Sequence, residues 1–285
     1  MTSLPPRFDA PCSVHDADIL LLTALPEELS WFQKVSGFDF VPRLCQGTSY
    51  RVAEVVRADR SIRIVSLRQL DKGPTMAAIT TTKAIGIWQP RFVVMTGFCA
   101  GVRGAVDLGD LIVATQFFEH SSGQLRDGQL IPLENRVSLP PWFLDFLITC
   151  TESSPLLEQI RSGYQQPLPN LTTPSLHYGS MACGPQVIKD QSYIASLKVR
   201  DQALLGLDME SYGVALAAAM CSTHARAIVP LVVKGVCDFA DAEKSDRWHD
   251  YCAYASAAFV VALLEQVFRR DHAYRRLKGC SDAPD

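Results

Sequence analysis

Apolar positions fall into short, nearly continuous runs that alternate with stretches of helical period. Residues 18–23 (DILLLT), 91–95 and 228–236 read as strands buried on both faces, the pattern of a parallel sheet. Residues 50–56 and 62–67 alternate well enough to be strands around a turn at Asp59-Arg60, and 111–115 and 176–182 read as further strands. Helical spacing marks a segment opening at Pro26 and carrying Leu29, Trp31, Phe32 and Val35. It recurs over 73–88 before Pro90, over an exposed helix at 190–201, and over 250–269. Residues 117–175 are the least legible; they hold a hairpin-like piece at 122–128, a helix near 142–150 and a Pro-rich loop at 167–174. Strands alternating with helices predict an α/β fold with a largely parallel core in one domain, 14–269. The leader 1–13 is expected to be poorly ordered, and 270–285 to be a polar tail.

The chain is organised around residues 206–241, GLDMESYGVALAAAMCSTHARAIVPLVVKGVCDFAD. Asp208-Met209-Glu210 opens an Ala-rich run that scans as a buried helix, and the strand that follows ends on Cys237-Asp238-Phe239-Ala240-Asp241. Two carboxylates thus sit where structure alone has little use for them, Glu210 entering a buried helix and Asp238 leaving a buried strand. Ligands of open α/β sheets bind beyond the carboxyl ends of the strands, which is the address of Asp238. Glu28 lies in a helix first turn just after a strand, where the dipole favours a charged carboxylate by about 0.3–1 kcal/mol. The bland alternatives are a turn aspartate, a helix-start glutamate bonding backbone N–H groups, and an ordinary first-turn carboxylate.

The glycines of Thr96-Gly97-Phe98-Cys99-Ala100-Gly101-Val102-Arg103-Gly104 do not make a dinucleotide fingerprint. Their spacing is wrong, and another strand follows instead of a helix. They fit either a close approach of ligand to backbone or a tight turn.

Composition narrows the classes. The 285 residues are 48% hydrophobic and 20% charged, with a net charge of −3, so neither nucleic acid nor an anionic membrane is an expected partner. No apolar run approaches the roughly 20 residues of a membrane span, and the start lacks a secretory apolar region. Nine cysteines without a CxxC pair read as reduced, buried thiols of a cytoplasmic protein. Six histidines without ligand spacing imply no metal, and no cofactor is expected.

Five pieces in consistent order over residues 18–267 resemble the nucleoside phosphorylase/nucleosidase superfamily, within it the methylthioadenosine/S-adenosylhomocysteine nucleosidase-like branch. They are Ala24–Glu28 (ALPEE), Thr96–Gly101 with the following Gly109-Asp110, Gly184–Ile188 (GPQVI), Asp208–Ser211 (DMES) and Cys237–Asp241 (CDFAD). Residues 238–258 also look like the tail of nucleosidase domains found beside immune-type signalling modules, some of which act on adenine nucleotides, so a defence effector is one implied role. The resemblance implies a three-layer α/β/α sandwich around a twisted mixed sheet that partly closes into a barrel. It implies a purine, by branch adenine, N-glycosidase acting on a nucleoside or nucleotide, and a homo-oligomer whose neighbouring subunit closes the site.

Residue by residue, the resemblance implies that Asp238 protonates N7 of the leaving purine and Glu28 activates the attacking water. Glu210 would bind the ribose hydroxyls, with Met209 packed on the sugar. Val187 and Ile188 would line the base pocket, Phe98 and Cys99 would border the sugar, and Lys234 would supply a basic group. Phe98 departs from the pattern, since relatives that orient a water carry a small hydroxyl residue there.

The chemistry is consistent with these assignments. Cleaving the bond builds positive charge on the sugar and negative charge on the base, so an acid at the base and an ionised carboxylate at the sugar suit it. Val236 and Phe239, with Asp241 nearby, would favour a protonated Asp238 by desolvation and like charge. Two readings compete with hydrolysis. Arg68 and Arg103 would serve a phosphorylase, against which the acidic first turn argues, and a non-catalytic adenine-nucleotide sensor would need neither Glu28 nor Asp238. Lys72, Lys83, Arg103 and Lys189 are expected at the solvated surface.

Overall fold

The computed structural model describes residues 16–57, 60–133, 135–152, 155–168, 172–241 and 245–269. The leader at 1–13 and the tail at 270–285 lie outside the described residues. In chain order, Ile19–Thr23 (β1) leads into Pro26–Ser36 (α1), followed by Val41–Cys45 (β2), Thr48–Arg57 (β3), Arg60–Arg68 (β4), Pro74–Trp88 (α2) and Phe92–Gly101 (β5). Next come Leu111–Glu119 (β6), the hairpin Gly123–Arg126 (β7) and Gln129–Pro132 (β8), Arg136–Ser138 (β9), Pro141–Thr151 (α3) and Leu156–Gly163 (α4). Leu176–Cys183 (β10), Gln191–Arg200 (α5), Leu204–Asp208 (β11), Ser211–Cys221 (α6), Val229–Asp238 (β12), a 3-10 turn at Asp246–Trp248 and His249–Arg269 (α7) complete the described chain.

Every residue of β1 and of β12 is buried, as their unbroken apolar runs require. β1 pairs in parallel with β4 and β5, and β12 in parallel with β5, at the centre of a sheet ordered β11-β10-β6-β12-β5-β1-β4-β3-β2, with β9 added against β6. The sheet is mixed rather than largely parallel, because β12 runs antiparallel to β6, and β3 to both β2 and β4. A run buried on both faces carries no mark of its direction; the connections set it. A second antiparallel contact, Gly206 with Gly101 and Leu207 with Ala100, joins β11 to β5. It closes β11, β10, β6, β12 and β5 into a ring.

Helices flank this sheet in two pairs, α1 against α7 and α2 against α6. Tyr251, Cys252, Ala255 and Phe259 of α7 are fully buried. Gly235 of β12 lets α7 lie close, since a Cβ there would stand 2.6 Å from Cβ of Cys252. Likewise a Cβ at Gly213 would meet the Pro74 carbonyl oxygen at 2.1 Å, so the absence of a side chain sets the approach of α6 to α2. The helix at 190–201 is less exposed than its sequence indicates: Ile194 and Leu197 of α5 are buried, and Asp190 caps it by accepting from the Ser192 and Tyr193 N–H groups.

The glycine-containing segment after residue 95 is not a turn. β5 continues through Gly101, paired with β12 along its length. Gly101 is needed for packing, because its Cβ would come within 2.6 Å of Val106 and Val236.

Candidate active site

All nine residues designated from the sequence line one cavity of about 390 Å³ at the carboxyl ends of β1, β5, β11 and β12. That volume suits a small ligand. Glu28 is carried there by the first turn of α1, and its carboxylate turns back on the backbone. Oε2 accepts from the N–H groups of Ala24 (2.8 Å) and Leu25 (2.9 Å), while Oε1 accepts from Phe98 N–H at 3.3 Å. Gly97, at φ +142°, leaves the room: a Cβ on it would sit 2.0 Å from Oε1 of Glu28. Gly97→Ala is therefore expected to displace the carboxylate and lower any turnover on the order of 100-fold, which steady-state kinetics would read directly.

Burial outweighs the helix dipole at Glu28. Only 2% of the residue is exposed, and desolvation raises its pKa to about 6, with Lys234 and the N–H groups of Leu25 and Ala24 pulling the other way and Glu210 adding to the rise. The helix terminus was expected to help keep Glu28 ionised; burial acts against that and prevails.

Glu210 is the residue before α6, yet its side chain makes no cap for that helix. Asp208 does that instead, accepting from Ser211 Oγ at 2.6 Å and from the N–H groups of Ser211 and Glu210. Glu210 Oε1 accepts the Gly73 N–H at 3.0 Å, across 137 positions of sequence. Desolvation raises its pKa as well, opposed by Lys234. Beneath these carboxylates lies Lys234, 1% exposed, with Nζ 3.3 Å from Asp208 Oδ2. Burial would lower the lysine's pKa; Asp208, Glu28 and Glu210 together reverse that and raise it, so the ammonium stays charged.

Asp238 ends β12 at 4% exposure; its Oδ1 accepts the Ala240 N–H at 2.8 Å, and Cys237 Sγ donates to Oδ2 at 3.3 Å. The like charge expected from Asp241 is offset, because Asp241 Oδ2 lies 2.5 Å from Arg103 Nη2, and the Arg103 guanidinium stacks over Phe239 at 4.4 Å. Phe98 presents its backbone to Glu28 and lays its ring on His249, centroids 4.1 Å apart. Cys99 is buried and Met209 half-buried; Val187 is exposed and Ile188 half-buried on the segment after β10.

Several lining residues escaped the sequence reading. Lys72 is exposed, as expected, and also borders the cavity, and Glu27, His120, Asp246 and His249 line it as well. His120, 2% exposed, bonds Tyr193 Oη through Nδ1 at 2.8 Å, and burial holds its pKa down. Asp208 and Glu27 carried a local signal, their closeness to Glu210 and Glu28; the others converge from distant elements. Histidine spacing gives no hint of a metal ligand set, yet ligand atoms of Cys237, Asp238 and His249 lie within 4.8 Å of one another. No helix among the described residues is long and apolar enough to cross a membrane.

A partly closed mixed sheet between helical layers, with carboxylates gathered beyond its strand ends, defines the class of fold that handles small ligands at such edges. The chain belongs to the phosphorylase superfamily, whose family model matches residues 18–269. It is 26% identical over 269 residues to the uncharacterized protein y4jS of Sinorhizobium fredii, covering 90% of this chain and 63% of that one. It is 28% identical over 274 residues to ATP nucleosidase Cap17 of Escherichia coli, covering 88% and 52%. The chain thus spans between half and two-thirds of the length of these relatives. Among solved structures, the 5'-methylthioadenosine/S-adenosyl homocysteine nucleosidase of Helicobacter pylori superposes with a TM-score of 0.66 at 20% identity, over 88% of this chain and 99% of that one. That likeness confirms the single-domain α/β fold with its mixed central sheet.

Proposed function

We propose that this chain is a purine N-glycosidase that hydrolyses the bond between adenine and ribose in a nucleoside or nucleotide. The carrying observation is the convergence of Glu28, Glu210 and Asp238 on one cavity over a buried lysine. In this reading Glu28 takes a proton from water attacking the anomeric carbon, Glu210 accepts hydrogen bonds from the ribose hydroxyls, and Asp238 delivers a proton to N7 of the departing base. Lys234 steadies Glu28 and Glu210 at fixed positions without needing to touch the substrate. Val187 and Ile188 border the base, and Met209, Phe98 and Cys99 the sugar. Adenine is supported by the relatives, whose names specify ATP and methylthioadenosine or S-adenosylhomocysteine as substrates. A homo-oligomer in which a second copy covers the open side of the cavity goes with this reading.

The placement of the arginines favours water over phosphate as nucleophile. Arg103 is engaged with Asp241, and Arg68 lines a separate hollow between α1, α2 and β3. The cavity itself is lined by Glu27, Glu28, Asp208, Glu210, Asp238 and Asp246, against Lys72 and the neutralised Lys234. An entering phosphate would meet mostly carboxylates.

The test is chromatography after incubation with adenosine, methylthioadenosine, AMP and ATP, each with and without phosphate. Free adenine without phosphate is the expected result, and the substrate that yields it identifies the 5' group. Turnover only with phosphate would make the protein a phosphorylase. Binding without base release would make it a sensor.

A further inference from the structure

We propose that Cys237, Asp238 and His249 form a binding site for a thiophilic divalent cation, zinc above all, which holds the protein inactive while bound. One ligand atom from each lies within 4.8 Å of the other two, and the Cys237 Sγ to Asp238 Oδ2 distance is already 3.3 Å. Zinc bonds of about 2.3 Å to sulfur and 2.0–2.2 Å to nitrogen and oxygen place tetrahedral ligands roughly 3.3–3.7 Å apart. The trio therefore closes on a zinc ion with side-chain shifts on the order of 1 Å.

Two backbone features hold the donors in place. Cys237 and Asp238 are consecutive at the end of β12, where the strand loses its regular register against β5 between Val236 and Asp238. In a regular strand their side chains would point to opposite faces; here both reach the cavity. His249 opens α7, and its ring is set by the stack on Phe98. Asp246 Oδ1 lies 3.4 Å from His249 Nε2, which adds a carboxylate beside the ring.

The donor set selects the cation. One thiolate, one imidazole and one carboxylate suit zinc and cadmium, whereas magnesium requires oxygen ligands. All three residues line the cavity, so an ion reaches them without unfolding. Zinc takes the place of the Cys237 thiol proton and of the Asp238 carboxyl proton; both pass to solvent, and the hydrogen bonds that Cys237 Sγ donates to Asp238 Oδ2 and the Cys99 carbonyl are given up. A fourth position stays open toward the cavity.

Inhibition follows from the reading of Asp238 as the acid, on which this part of the proposal rests. A carboxylate ligating zinc carries no proton to give, and the ion occupies the space where a base would sit.

Binding is tested apart from catalysis. The reduced full chain, titrated with zinc against a chromogenic chelator, is expected to hold one ion per chain competitively with that chelator. Cadmium should add the ultraviolet absorption of a thiolate–cadmium bond. Cys237→Ala and His249→Ala should each weaken zinc binding by more than the roughly 10–100-fold that loss of an orienting neighbour costs, and Cys237→Ala should abolish the cadmium band. His249 is half-buried at a helix start, so its variant decides the matter even if loss of the buried thiol harms folding. Zinc affinity unchanged in His249→Ala, or a band that persists in Cys237→Ala, would overturn the site. Adenine release should fall with zinc and return with EDTA. Zinc held by the trio with base release unaffected would overturn the inhibition while leaving the site.

Discussion

Asp238→Asn is expected to lower turnover of purine nucleosides by about 10²–10⁴-fold, with KM changed far less. The substitution keeps the shape and the Oδ1 acceptor that takes the Ala240 N–H at 2.8 Å, and gives up only the weak bond from Cys237 Sγ to Oδ2, so the end of β12 should still fold. What disappears is the acidic proton. A ribosyl substrate whose leaving group departs as a stable anion, such as a nitrophenyl riboside, does not need that proton. The variant should hydrolyse it within about tenfold of the wild type. Equal losses on both substrates would remove Asp238 from the role of acid and leave it a positioning residue.

Glu28→Gln is expected to cost a similar factor, about 10²–10⁴-fold, and also to change the shape of the pH profile. Burial raises the Glu28 pKa to about 6, opposed by Lys234 and two backbone N–H groups. Above that value the carboxylate is ionised and can take a proton from water; below it the group is protonated and cannot. In the wild type, kcat/KM should therefore fall as pH drops through about 6, approaching tenfold per unit further down. Glutamine does not titrate, so the residual activity should be flat across that window. An amide nitrogen at this position would also face N–H donors on both sides, which adds to the loss. If the acid-side decline survived in Glu28→Gln, another carboxylate, Glu210 first, would carry the limb and the water-activating assignment would fall.

Much of the fold was legible because its central elements are extreme in composition. β1 and β12 are buried on both faces and read as unbroken apolar runs, and α2 and α7 show their period. The missed strands lack such a pattern. The first four residues of β2 are exposed and include Pro42, which an edge strand tolerates and a composition rule rejects. β9 has three residues, and β11 has five, the last of which, Asp208, opens the DMES motif that drew attention away from it. Thr96–Gly101 left a tight turn and a close approach to the backbone both open, because glycine serves either; here Gly101 marks close packing inside β5 and Gly97 makes room for the Glu28 carboxylate.

The site was legible at Glu28, Glu210 and Asp238, because carboxylates at the ends of buried elements stand out against an apolar background. It was not legible at Lys72, His120 and His249, whose approach depends on how separate elements pack. Electrostatics was the least legible layer. Neither the salt bridge that occupies Asp241 nor the burial that reverses the dipole at Glu28 has a local signature.

The seclusion of Lys234 has a consequence for how the protein senses its surroundings. Its side chain and that of Asp208 are 2% and 3% exposed, so dissolved ions cannot gather around them. Raising salt from 0.1 M to 1 M shortens the Debye length from about 10 Å to about 3 Å and mutes charges at the surface, but it leaves this interior cluster almost untouched. The charge pattern on the cavity floor is thus insensitive to salt. Any ionic-strength dependence of ligand capture must then originate at the cavity rim and in the charge that the ligand itself brings.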